Sequence, residues 1–85
     1  MDLIIDLSKK ESCLILKQGN KEIASHYWTG LYQLSETLLL EIDKFLNKSK
    51  IELDDIKKIE VIPSKESMAS TKIAKAIALG LKVNL

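Results

Sequence analysis

Apolar residues recur along this chain with two different periods, and the changes of period separate strands from helices. Residues 3–7 form an apolar run broken only by Asp6, the pattern of a central strand. After the polar turn Ser8, Lys9, Lys10 and Glu11, residues 12–17 return as a second strand. Gln18, Gly19 and Asn20 predict a hairpin turn, because Gly and Asn tolerate the positive φ that such turns require. Ile23, Tyr27 and Trp28 give residues 22–28 the β-branched and aromatic character of a third strand, ended by Thr29 and Gly30. Three consecutive antiparallel strands follow.

From residue 31 to 48 the period lengthens. Leu31, Leu34, Leu38, Ile42 and Phe45 share one stripe at helical spacing, and Tyr32, Leu39 and Leu46 repeat every seven residues on its flank. At 100° per residue the apolar arc is about 160° wide, against the ~100° that a helix packed on one side needs. The surplus predicts a second contact surface.

Residues 51–56 read as a connector with one helical turn capped by an acid. Residues 57–62 make a fourth strand, Ile59 and Val61 facing one way and Lys58 and Glu60 the other, and Pro63 stops it. A second helix is expected over about 67–79, with Gly80 as its C-terminal cap. Residues 82–85 then alternate as a terminal strand. The order β-β-β-α-β-α-β predicts an α/β domain with a mixed five-stranded sheet. Right-handed crossovers place both helices on one face. Lys58, Glu60, Lys82 and Asn84, with Glu22, Ala24 and His26, predict a polar back face, hence a two-layer single domain over 1–85 that is complete as it stands.

Composition narrows the function classes. Of the 85 residues, 46% are hydrophobic and 29% charged, as in ordinary globular chains. The net charge of +1 and the even spread of lysines give no footprint for nucleic acid. No apolar run approaches the ~20 residues that span a bilayer. Asp2 and Asp6 make the N-terminus unlike a signal peptide, so a cytoplasmic protein is expected. Cys13, the single cysteine, lies in an apolar run and reads as a buried structural thiol.

Residues 59–81 carry the strongest motif: a short strand, a tight loop and a helix of small residues. Where such a frame binds nucleotide, loop glycines let backbone N–H groups close around phosphate. Residues 64–70 contain no glycine, and the chain has no arginine to supply a phosphate fork. The enzyme readings each lack a partner residue. Asp6 has no second carboxylate at the end of the fourth strand, where Ile62, Pro63 and Ser64 stand, so a turn-forming role is expected over metal catalysis. His26 has no second ligand in the pattern and reads as a surface residue. Ser67 has no nearby base and reads as a helix cap. Tyr27 and Trp28 lack the basic surround of a base-stacking site, and Asp54 and Asp55 read as a capped turn.

This order, with its strand–loop–helix at 59–81, resembles the N-terminal lobe of the TsaB family, in the ribonuclease H-like and actin-like ATPase superfamily. Family members open with a strand ending Ile-Asp-Thr-Ser; here Ile5, Asp6, Leu7 and Ser8 stand in that place. The family loop Gly-Pro-Gly-Ser-Phe-Thr-Gly, followed by Leu-Arg-Ile-Gly, aligns without a gap on residues 64–74. Ser67 matches, Met68 replaces the aromatic, and Lys72, Ile73 and Ala74 replace Arg-Ile-Gly. Residues 77–81 look like the family's Ile-Ala-x-Gly-Leu. The resemblance implies a non-catalytic subunit that supports a TsaD-type enzyme in making N6-threonylcarbamoyladenosine on tRNA, with no cofactor or metal of its own. It extends over only the first half of a normal TsaB, and the loss of every loop glycine removes an inherited nucleotide site. The alternative is a stand-alone homodimerising ribonuclease H-like domain.

The expected partner, a TsaD-like subunit or a second copy, docks on the outer side of the two helices. Tyr32, Leu39 and Leu46 form the apolar line of that surface, and Ala74 and Ala78 allow close helix approach. The bland alternative is that the broad arc merely wedges the first helix between sheet and neighbour.

Overall fold

A computed structural model describes residues 1–83, with side chains through residue 81. Four strands and two helices appear in the order β1 (Asp2–Asp6), β2 (Ser12–Gln18), β3 (Lys21–Trp28), α1 (Leu34–Ser49), β4 (Lys58–Ile62) and α2 (Met68–Val83). The sheet order is β3-β2-β1-β4. The first three strands pair antiparallel, and β4 lies parallel to β1.

Alternation along neighbouring strands sets the core. Leu3 and Ile5 stand opposite Leu16 and Leu14 on one side and Ile59 and Val61 on the other. One row of aliphatic side chains therefore faces the helices. Leu34, Leu38, Ile42, Phe45 and Leu46 of α1 and Ala74 and Ala78 of α2 complete the same cluster. Leu3, Ile5, Leu14, Leu16 and Leu38 are fully buried, each worth about 1.5–3 kcal/mol on transfer from water.

Local signals explain the joints. Gly19 takes φ 65 in the β2–β3 hairpin, where a Cβ is disfavoured. A 3₁₀ turn at Leu31–Gln33 leads into α1. Gly30 packs closely here, since a Cβ there would lie 3.1 Å from the Trp28 indole and the ring would have to give by a few tenths of an ångström. The connector's turn, Leu53–Asp55, is closed by a capping box in which the Glu52 N–H donates to Asp55 Oδ2 at 3.0 Å.

Two expectations are corrected. The sheet has four strands among the described residues, because α2 continues through Gly80 to Val83; residues 84–85 of the expected fifth strand lie outside the described residues. Gly80 does not end the helix: Leu81 extends the inward stripe of Ala74, Ile77 and Ala78 at helical spacing and packs on the core. A helical glycine costs about 1 kcal/mol, less than an apolar anchor returns.

The second correction concerns the faces of the sheet. Ala24, His26 and Trp28 pair with Leu16, Leu14 and Ser12, which puts them on the helix side. The His26 ring stacks between Trp28 and Phe45, at centroid distances of 6.0 and 5.8 Å. The back face is not uniformly polar. Ile4, Cys13 and Ile15 form an apolar row there, with Ile62 against it.

Candidate functional site

Hydroxyl side chains organise the loop between β4 and α2. Ser64 Oγ accepts from the N–H groups of Glu66 and Ser67 at 3.1 and 3.2 Å. The Ser64 N–H donates to Thr71 Oγ1 at 2.9 Å, and the Thr71 hydroxyl donates to the Ser67 carbonyl at 3.1 Å. Ser67 Oγ accepts from the Ser70 N–H at 3.1 Å, the hydrogen bond of an N-cap. The Ser70 hydroxyl then donates to the Leu31 carbonyl, tying this loop to the turn that starts α1. The N–H groups of Ser64, Glu66, Ser67 and Ser70 are thus engaged by hydroxyls of the same segment. The Ser67 hydroxyl itself donates to Ser70 Oγ at 2.9 Å.

Beside this loop a cleft of about 450 Å³ is lined by Leu7, Ser8, Lys9, Lys10, Ser64, Lys65 and Glu66. Asp6 does not open into a ligand set. Its Oδ1 accepts from the Ser8 N–H at 2.9 Å and the Ser8 hydroxyl at 2.6 Å, the turn expected of it. Among the described residues, no group of three or more His, Cys, Asp or Glu is placed to hold a metal ion. Cys13 is fully buried, and that burial pushes its thiol up from the ordinary value. A thiol held protonated is a poor nucleophile.

His26 is not the surface residue its position in the pattern suggested. Its Nε2 lies 3.1 Å from Glu41 Oε1, joining β3 to α1. That hydrogen bond holds the Glu41 carboxyl below its ordinary range, with Lys44 at 3.4 Å adding to the effect. A lone histidine in a strand gave no signal for this; the contact spans fifteen residues.

The helical layer divides the five expected interface residues. Tyr32 and Leu39 are exposed, at 73% and 53%. Leu46, Ala74 and Ala78 are buried inside the chain, so they offer a partner almost no area. Leu46 shares its helix face with Leu39, but Ile51 and Leu53 of the connector fold back beside it. Ala74 and Ala78 spend their small size within the core. Outward on α2 stand Ala69, Ala76 and Leu79, and outward on α1 stands Leu40. Leu40 was legible in principle, because three consecutive leucines cannot all face one stripe. Between α1, the connector and Leu81 runs a groove of about 400 Å³ whose apolar walls include Leu39, Ile42, Leu46 and Ile51.

No helix among the described residues is long and apolar enough to cross a membrane. No family model and no curated protein matches the chain. Solved structures that share its fold include YeaZ from Pseudomonas aeruginosa, at a TM-score of 0.76 and 19% identity, covering 99% of this chain and 40% of that one. A second is described as an uncharacterised protein with similarity to peptidase YeaZ from Pseudomonas aeruginosa, at the same TM-score and identity, covering 99% and 39%. The chain spans about two fifths of the length of these structures. The likeness establishes the fold, a mixed α/β sheet with two helices similar to YeaZ.

Proposed function

We propose that this chain is a non-catalytic, TsaB-like interaction subunit that supports a TsaD-type enzyme in threonylcarbamoyladenosine modification of tRNA, working in the cytoplasm. YeaZ is a TsaB protein, and sharing its fold carries the family half of this reading. The observation that carries the interaction half is the pair of exposed apolar anchors on the helical layer, Tyr32 and Leu39. Leu39 also borders the groove walled by Ile42, Leu46 and Ile51, so an apolar side chain from a partner would find both a ridge and a recess there. The loop before α2, in which hydroxyls take the N–H groups of Ser64, Glu66, Ser67 and Ser70, supports a scaffold over a catalyst.

Co-purification of the full chain with a TsaD-type protein from the same source tests the reading. Wild type is expected to co-elute. Leu39→Glu is expected to abolish association with an unchanged thermal melt, because the contact would bury an unpaired charge. If the mutant unfolds, Leu39 belongs to the core. If wild type ignores the TsaD-type protein but forms a tight homodimer, the stand-alone homodimerising domain replaces this reading.

A further inference from the structure

The groove between α1, the connector and Leu81 carries a charge pattern as well as apolar walls. Leu39 stands exposed beside a recess walled by the buried Ile42 and Leu46. The charged side chains that line this groove are Asp43 and Glu52, both carboxylates. Neither belongs to an ion pair among the described residues. Asp43 and Asn47, one helical turn apart, share the groove side of α1. The neighbouring row turns its cations away. Lys44 reaches Glu41 at 3.4 Å, and Lys48 lines a separate hollow beside β3. In a chain whose net charge is +1, this recess for an apolar side chain has unpaired negative charge on its rim.

We propose that this groove docks a basic amphipathic helix of a partner protein. A large aliphatic side chain enters the recess, and lysine or arginine side chains one turn away meet Asp43 and Glu52. In helix-in-groove recognition the apolar anchor supplies affinity, and complementary charge on the rim selects which helix is accepted. An acidic helix would set like charges against the two carboxylates, and an anionic lipid surface would be repelled in the same way. The proposal names the chemistry of the partner and rests on the interaction role proposed above.

Binding of synthetic helices to the full chain, followed by fluorescence anisotropy, tests the proposal. The probe is a peptide with leucines at helical spacing and lysines at the flanking positions. It is expected to bind in the micromolar range and to weaken as salt is raised. Exchanging its lysines for glutamate should weaken binding at least about tenfold, and exchanging its leucines for serine should abolish it. Asp43→Asn with Glu52→Gln removes both charges and keeps an acceptor at each position, including the one Glu52 offers to the connector turn. This variant should bind the lysine peptide about tenfold more weakly, with an unchanged circular dichroism spectrum. No binding of the lysine peptide, equal affinity for the lysine and glutamate peptides, or a neutral variant that binds like wild type would each overturn the proposal. So would sedimentation in which the chain alone dimerises and the neutral variant does not, since a second copy would then be the occupant. The peptide readout needs no TsaD-type protein. Failed co-purification with retained peptide discrimination removes the tRNA reading alone, and co-purification without discrimination removes this proposal alone.

Discussion

Lys50 closes α1 in the left-handed region, at φ 58, with its N–H on the Asn47 carbonyl at 3.2 Å. The Ile51 N–H reaches the Leu46 carbonyl at 2.9 Å, so the helix end is satisfied by backbone geometry that favours glycine. A Cβ in this region costs roughly 1–2 kcal/mol. Lys50→Gly should stabilise the chain by about 0.5–1 kcal/mol, seen as a higher urea midpoint at unchanged slope. Glu41 makes a pH-dependent contribution. Its carboxyl is held below the ordinary range, chiefly by the His26 hydrogen bond. A depressed carboxyl stabilises the fold above its unfolded pKa, and that stability is lost as pH falls through the folded value. Glu41→Gln should therefore cost about 1 kcal/mol near neutral pH, and the gap to wild type should close as the solution is acidified through the carboxylate range. A gap that persists in acid would mean that Glu41 acts through packing.

At the scale of elements, α2 shows how packing overrides a local stop signal. Gly80 lies within the helix, and a Cβ there would meet nothing within 4 Å. Gly80→Ala should raise stability by about 1 kcal/mol in a thermal or urea melt. A destabilised variant would indicate a left-handed cap at this position, as the sequence pattern first suggests. In α1 the heptad line of Tyr32, Leu39 and Leu46 was legible, but its fate was not. Identical spacing leaves Leu39 exposed and Leu46 buried because the connector covers only one end of the helix.

For the whole molecule, the functional question turns on which groups remain available to another molecule. In the β4–α2 loop, hydroxyls take the N–H groups of Ser64, Glu66, Ser67 and Ser70, while the helical layer leaves apolar side chains exposed. Titration of the chain with Mg-ATP in a calorimeter should release no heat attributable to binding. Micromolar binding would mean that the loop opens and the hydroxyl network is not its working state.

The sequence by itself determined the elements and the inward row. Period-two runs at Leu3, Ile5, Leu14 and Leu16 and the helical stripe at Leu34, Leu38, Ile42 and Phe45 are local patterns, and burial of one face follows from them directly. The absence of loop glycine was equally plain. Only the tertiary structure decided that His26 joins β3 to α1, that the back face carries Ile4, Cys13 and Ile15, and that Ala74 and Ala78 serve the core. Those outcomes depend on strand register and on which helix lies over which strand. Both are set by contacts between residues far apart in the chain, and local periodicity carries no record of them.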